Sequence, residues 1–150
     1  MKYIKNRIEK SAELKAPLAK VWDALTDHNK FGEWFCVKVN KPFLPGQVSH
    51  GHVTYPGYEH VKWEAVIQKM EPEYFFSFTW HPYAVDPKVN YSNETPTLVE
   101  FKLEKIPKGT LPTVTEIGFE KLPAHRQADA FRMNEEGWEE QLQNIEKYLA

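Results

Sequence analysis

The sequence predicts an α+β domain in which a curved antiparallel sheet is closed by one long C-terminal helix. Three observations carry this. Apolar residues recur at period two in three segments: Trp63, Ala65 and Ile67; Phe76, Phe78 and Trp80; Val99, Phe101 and Leu103. Glu, Lys and other polar residues alternate with them, the pattern of strands with one buried face. The run Thr113-Val114-Thr115-Glu116-Ile117-Gly118-Phe119 then leads through Pro123 into a long amphipathic segment. The start of the chain mirrors the end, with a strand followed by Lys15-Ala16-Pro17 opening a short helix.

Residues 4–15 alternate loosely through Ile4, Ile8, Ala12 and Leu14 and read as a first strand with a solvated face. Pro17 fits the first helical position, where its missing N–H is no loss. That helix carries Val21-Trp22 and Ala24-Leu25 and ends near Thr26. Asp27 is placed to cap a second short helix reaching Trp34-Phe35. Pro42 to Gly46 is turn chemistry. Strands are expected at 47–55, 61–70, 74–80, 97–106 and 110–119, with Lys108-Gly109 joining the last two. The intervening segment 81–96 contains Pro82, Pro87 and Pro96 and reads as a long polar loop. Loops of that length in a small domain are often functional or mobile.

The closing helix should span 125–149, about 36 Å at 1.5 Å per residue. Phe131, Trp138, Leu142, Ile145 and Leu149 fall on one stripe, which Ala124 and Ala128 extend. Asn134 and Glu135 interrupt that stripe, and Gly137 costs a helix about 1 kcal/mol relative to alanine. Polar residues and a glycine on an inward face predict that this stretch does not meet solid core.

The 150 residues form one expected domain, 1–150, long enough to bury its own core. Nineteen basic against 21 acidic residues, a net charge of -2, leave no footprint for nucleic acid. No membrane span is legible, and the first residues carry no apolar run behind their charges, so no secretory signal is expected. The single cysteine, Cys36, forbids an intrachain disulfide. Together these point to a cytoplasmic protein.

Several landmarks recur in one order: Ala16-Pro17, Val21-Trp22-Asp23-Ala24-Leu25-Thr26-Asp27, Trp34-Phe35, Pro45-Gly46, Glu71-Pro72, Phe78-Thr79-Trp80, Gly109-Thr110, Gly118-Phe119 and Glu136-Gly137-Trp138. This set resembles the SRPBCC (START-like) superfamily, and within it the branch similar to the C-terminal domain of the activator of Hsp90 ATPase. The resemblance covers nearly the whole chain. It implies a helix-grip (START/Bet v 1-like) fold, with two short helices near the N-terminus. Three positions depart from it. Pro112 stands where relatives carry a strand residue, implying an irregular or edge start to that strand. Glu116 and Asn134 stand where relatives frequently carry histidine, which weakens the case for proton transfer.

A cavity between sheet and helix would be lined from Trp34, Phe43, Trp63, Phe78, Trp80, Phe101, Glu116, Phe131, Asn134, Glu135 and Trp138. Most of these aromatics are core by default, and pockets are aromatic walls with few polar groups. Glu116 and Glu135 each have a functional reading, anchoring a polar group of a ligand, and a structural one. The structural reading, favoured for each alone, pairs them with Arg126, Arg132 or a lysine. His50 and His52 share a strand face, but no further ligands are visible, so neither metal nor cofactor is expected. Cys36 has no evident base beside it and reads as a small buried hydrophobe.

Three functions follow in order. The first is binding of a small hydrophobic molecule by a monomer or homodimer. The second is a chaperone-linked interaction module, which the resemblance implies. The third is a cyclase- or dehydratase-like enzyme, for which Glu116, Glu135, His50 and His52 are the candidate acid–base groups.

Overall fold

The computed structural model describes residues 6–150. In chain order it contains β1 (Arg7–Ser11), α1 (Leu18–Thr26), α2 (His28–Phe35), β2 (Val37–Val39), β3 (Val48–Val53), β4 (Lys62–Glu71), β5 (Phe75–Trp80), β6 (Thr97–Ile106), β7 (Gly109–Ile117) and α3 (Ala124–Leu149). A short 3-10 turn, Phe119–Lys121, precedes α3. The strands form one curved antiparallel sheet in the order β1-β7-β6-β5-β4-β3-β2. The first two strands therefore occupy opposite edges, and α1 and α2 carry the chain between them. Both short helices contact α3. This is the helix-grip arrangement expected from the sequence.

The local chemistry explains the helix starts. Asp27 caps α2, its carboxylate accepting from the backbone N–H of Asn29 and Lys30 at 3.0 Å each. Pro17 is the N-cap of α1 rather than its first helical residue, with an extended ψ of 154°. Its carbonyl receives the N–H of Lys20 and Val21. Gly32 lets α2 approach β2 closely, since a Cβ there would lie 2.3 Å from the Val37 carbonyl oxygen.

Two strands differ from expectation. Residues 4 and 5 of the first expected strand lie outside the described residues. The remainder forms a regular strand only to Ser11, and Leu14 rejoins β7 as a bridge to Thr110. The break falls opposite Pro112, which has no N–H to give. Pro112 thus sits inside a strand flanked on both sides, and the irregularity it requires is carried by β1. Strand β2 was not legible, because three residues are too few to show a period.

The sheet's concave side and the helices enclose the core. Phe76, Phe78 and Phe101 are each at most 2% exposed. Burial stabilises each such ring by roughly 1.5–3 kcal/mol. On α3, Trp138, Leu142 and Ile145 are buried as the stripe predicts, but Ala124 and Ala128 are exposed and Ala130 is buried instead. The first turns of α3 lean on the 3-10 turn rather than the sheet. There Phe131 meets Phe119 at 5.2 Å, and the Gln127 side chain donates to the carbonyls of Glu120 and Leu122.

Candidate functional site

Directly under α3 the interior is filled. Between Leu25, Trp34, Phe101, Trp138 and Ile145 only about 10 Å³ remains, room for one water at most. The substantial space lies beside that core. A cleft of about 410 Å³ opens between the end of α2, β2, the 55–61 turn, the 83–85 segment and the middle of α3. Its aromatic walls are Phe35, Tyr55, Tyr58, Trp80, Tyr83 and Trp138. Asn134, Gly137, Glu140, Gln141 and Asn144 supply the helical side. Glu140 is the one charged side chain among the lining residues described.

Local bonds hold each wall. Gln141 donates to the Phe35 carbonyl at 3.1 Å, fastening the end of α2 to α3. Cys36 ends α2 in the left-handed region at φ 63°, turning the chain into β2. The Thr54 N–H donates to its carbonyl. At the mouth, Tyr55 and Tyr58 stand 5.9 Å apart and are about half exposed, 49% and 47%. Glu59 closes their turn by accepting the Gly57 N–H at 2.7 Å. Backbone N–H groups of Glu59 itself and of Gly57 hold that carboxyl below its usual range.

Behind the cleft wall lies a buried carboxylate. Residues Pro112, Val114 and Glu116 alternate inward along β7, and Glu116 is 0% exposed. Its Oε1 accepts from Trp138 Nε1 at 2.8 Å and Asn134 Nδ2 at 2.9 Å. Its Oε2 accepts from Trp80 Nε1 at 2.8 Å and Thr97 Oγ1 at 2.5 Å. Asn134 also reaches Oε2, at 3.2 Å. Indole nitrogens only donate, so the arrangement presents donors from β5, β6 and α3 to one carboxyl group. Among the described residues, no Lys, Arg or His nitrogen lies within ion-pair distance of it. Burial pushes the Glu116 carboxyl above its ordinary pKa, while the Thr97, Trp80, Trp138 and Asn134 donors oppose the rise. Glu116 and Asn134, two of the three positions singled out by the sequence resemblance, are thus in contact with each other.

Of the expected lining residues, Trp80, Asn134 and Trp138 face the cleft, and Glu116 sits immediately behind two of them. Trp34, Phe43, Trp63, Phe78 and Phe101 are instead in the core, each no more than 4% exposed. Two of these five are tied inward by their own N–H groups: Trp34 donates to the Ala24 carbonyl and Trp63 to the Ser49 hydroxyl. Phe131 packs on Phe119, and Glu135 does not line the cleft. Among the described residues, neither glutamate pairs with Arg126, Arg132 or a lysine. His50 and His52 are exposed on the sheet's outer face, remote in sequence pattern and burial from the cleft. Among the described residues, no three metal-ligating side chains cluster.

Arg126 is engaged elsewhere. It makes a bidentate pair with Glu94, with contacts of 2.7 and 3.0 Å, the two side chains 11% and 10% exposed. It also donates to the carbonyls of Pro82 and Tyr83 at 3.0 Å and lies 4.6 Å from the Tyr91 ring centre. The long 81–96 segment, which brings Tyr83 and Val85 to the cleft, is therefore strapped to the start of α3.

Fold and site together define a helix-grip protein with a cleft at the open end of its grip. A family model described as "Activator of Hsp90 ATPase homolog 1-like protein" matches residues 15–150, and the chain belongs to that family. No curated protein matches the sequence. Similar solved structures include a Mesorhizobium loti protein at 22% identity and TM-score 0.75, covering 95% of this chain and 96% of the other. A Mycobacterium smegmatis protein is 17% identical with TM-score 0.72, covering 96% and 90%. A Bacillus halodurans protein is 18% identical with TM-score 0.69, covering 97% and 100%. At these identities the likeness concerns the fold. Among the described residues, no helix is long and apolar enough to cross a membrane.

Proposed function

We propose that this protein binds a small, mainly apolar molecule in the cleft between α2, the 55–61 turn, the 83–85 segment and α3. The observation that carries the reading is the cleft itself, about 410 Å³ walled by six aromatic rings beside an otherwise filled core. Binding pockets are typically about 300–1,000 Å³, aromatic, and furnished with few polar groups. Asn134, Gln141 and Asn144 are the neutral polar groups available to orient a ligand. Glu116 is read as part of the wall's electrostatics rather than as an acid or base, since its oxygens are fully taken by protein donors.

The test is a large side chain at the glycine of the wall. Gly137→Phe should fold, because a Cβ at this position meets nothing within 4 Å, and should fill the cleft. An apolar fluorescent probe should bind the wild type at one site and lose that site in the variant. Native mass spectrometry of protein taken from cells should show a released small molecule. Unchanged probe binding in Gly137→Phe places the ligand elsewhere and overturns the reading.

The family's description favours a second reading, an interaction module for an Hsp90-type chaperone. Saturable binding to such a chaperone that survives Gly137→Phe would support it, and no binding in a purified pull-down would remove it.

A further inference from the structure

The cleft's aromatic walls and its charges are not neutral in their preferences. Its described lining holds six rings, one carboxylate in Glu140, and neither lysine nor arginine. Trp80 and Trp138 stack at 5.6 Å, and Phe35 lies 6.1 and 5.9 Å from them. The indole N–H edges of both tryptophans turn inward to the two oxygens of Glu116. What Trp80 offers the cleft is therefore carbon surface, and the buried Trp138 backs it. A carboxylate accepting an N–H pushes electron density into the ring that donates it, and hydrogen-bonded chains polarise one another in this way. Aromatic surfaces so polarised attract cations.

Glu116 adds a second, independent reason. Its buried carboxyl has only neutral donors, so a positive charge in the cleft would favour its ionised form.

Taking the cleft as the binding site proposed above, we propose that the ligand's anchoring group is an organic ammonium cation, held by the Phe35, Tyr55, Tyr58, Trp80 and Tyr83 rings with Trp138 and Glu116 behind them. The ligand is a compact single molecule, since the cleft is smaller than a two-chain lipid requires. Quaternary and tertiary amines carrying one short apolar group have the right chemistry.

The experiment compares benzyltrimethylammonium with neopentylbenzene, its uncharged carbon isostere, by ligand-observed NMR titration of the full chain. The cation should bind about ten-fold tighter, in line with several cation–π contacts in a partly desolvated site. Glu116→Gln should lower the ratio, leaving only the preference of the rings and Glu140. Tyr58→Leu removes a half-exposed ring and leaves the core untouched, so it serves if the glutamine variant fails to fold. It should weaken the cation several-fold and the isostere little. Equal binding of the two probes overturns the ammonium proposal while leaving the apolar cleft intact. Equal weakening of both in Tyr58→Leu also overturns it. If neither probe binds, the cleft reading fails and the ammonium proposal with it.

Discussion

Arg126 offers the sharpest test of how the cleft is held together. Replacing it with alanine removes a bidentate partner from Glu94, two donors from the carbonyls of Pro82 and Tyr83, and a cation from the Tyr91 ring. An exposed ion pair is worth at most about 1 kcal/mol, whereas breaking a buried one costs about 3–5 kcal/mol because a charge is left unpaired. The two side chains are 11% and 10% exposed, so the lower end of the buried range applies, about 3 kcal/mol. For a chain of this size that corresponds to a fall of roughly 6–12 °C in Tm. Urea unfolding followed by tryptophan fluorescence measures the loss. Hydrogen exchange across 81–96 should accelerate in the same variant, because the strap is gone. Adding Glu94→Gln to Arg126→Ala should recover part of the stability, since the penalty is mainly the stranded carboxylate. A loss below about 1 kcal/mol, with no recovery in the double variant, would place this pair with ordinary surface pairs. The 81–96 segment would then be held by something other than Arg126.

Three further outcomes follow from the same geometry. Burial raises the Glu116 pKa above its ordinary value, so the folded chain holds that proton to higher pH than the unfolded chain. Its contribution to stability is then fully present below the unfolded pKa and lost as pH rises through the folded pKa. Among the described residues its hydrogen-bond donors are Trp80, Thr97, Asn134 and Trp138, none of which titrates in this range. The stability of wild type relative to Glu116→Gln should therefore fall as pH rises above the ordinary glutamate range of about 4.3, measured by urea unfolding, and a rise instead would mean the four donors outweigh burial. Gly137→Ala should stabilise α3 by about 1 kcal/mol, since its Cβ meets nothing within 4 Å, and a lower Tm would show the helix needs glycine there. Phe78→Ala should cost about 3–5 kcal/mol yet leave probe affinity in the cleft within two-fold, because Phe78 is fully buried and off the cleft. A large loss of affinity in a folded Phe78→Ala would erase the division between core and cleft.

The fold was legible because its signals are local. Asp27 capping α2 is readable from one residue and its neighbours, and the rows around Trp63, Phe78 and Phe101 declare themselves by alternation. The stripe on α3 was read correctly where the helix lies over the sheet, at Trp138, Leu142 and Ile145, and wrongly where it leans on the 3-10 turn, at Ala124 and Ala128. Periodicity says which residues face inward, not what they meet there. The site illustrates this. Trp63 and Trp80 belong to equivalent alternating rows, yet one donates to a serine within the core and the other lines the cleft. Phe35, Tyr55, Tyr58 and Tyr83 were missed as lining because they stand at a helix end or in loops, where no period operates. The one local signal that did point to the cleft was a conflict of patterns, a polar residue and a glycine on an apolar helix face at Asn134 and Gly137.

That conflict has a physical logic which joins the two parts of the site. A chain that simply wanted a full core could place leucine at 116, 134 and 137. It would gain burial at each and lose a desolvated carboxylate, a change that is often neutral or stabilising. Instead Glu116 gathers side chains from β5, β6 and α3, and it fixes Trp80 and Trp138 in one orientation through their only donors. Gly137, one position before Trp138, keeps the helix surface low where the cleft opens. The buried carboxyl sets the indoles and the glycine leaves room in front of them. An expensive polar cluster placed directly against an aromatic hollow is better accounted for by what the hollow must hold than by what the core needs.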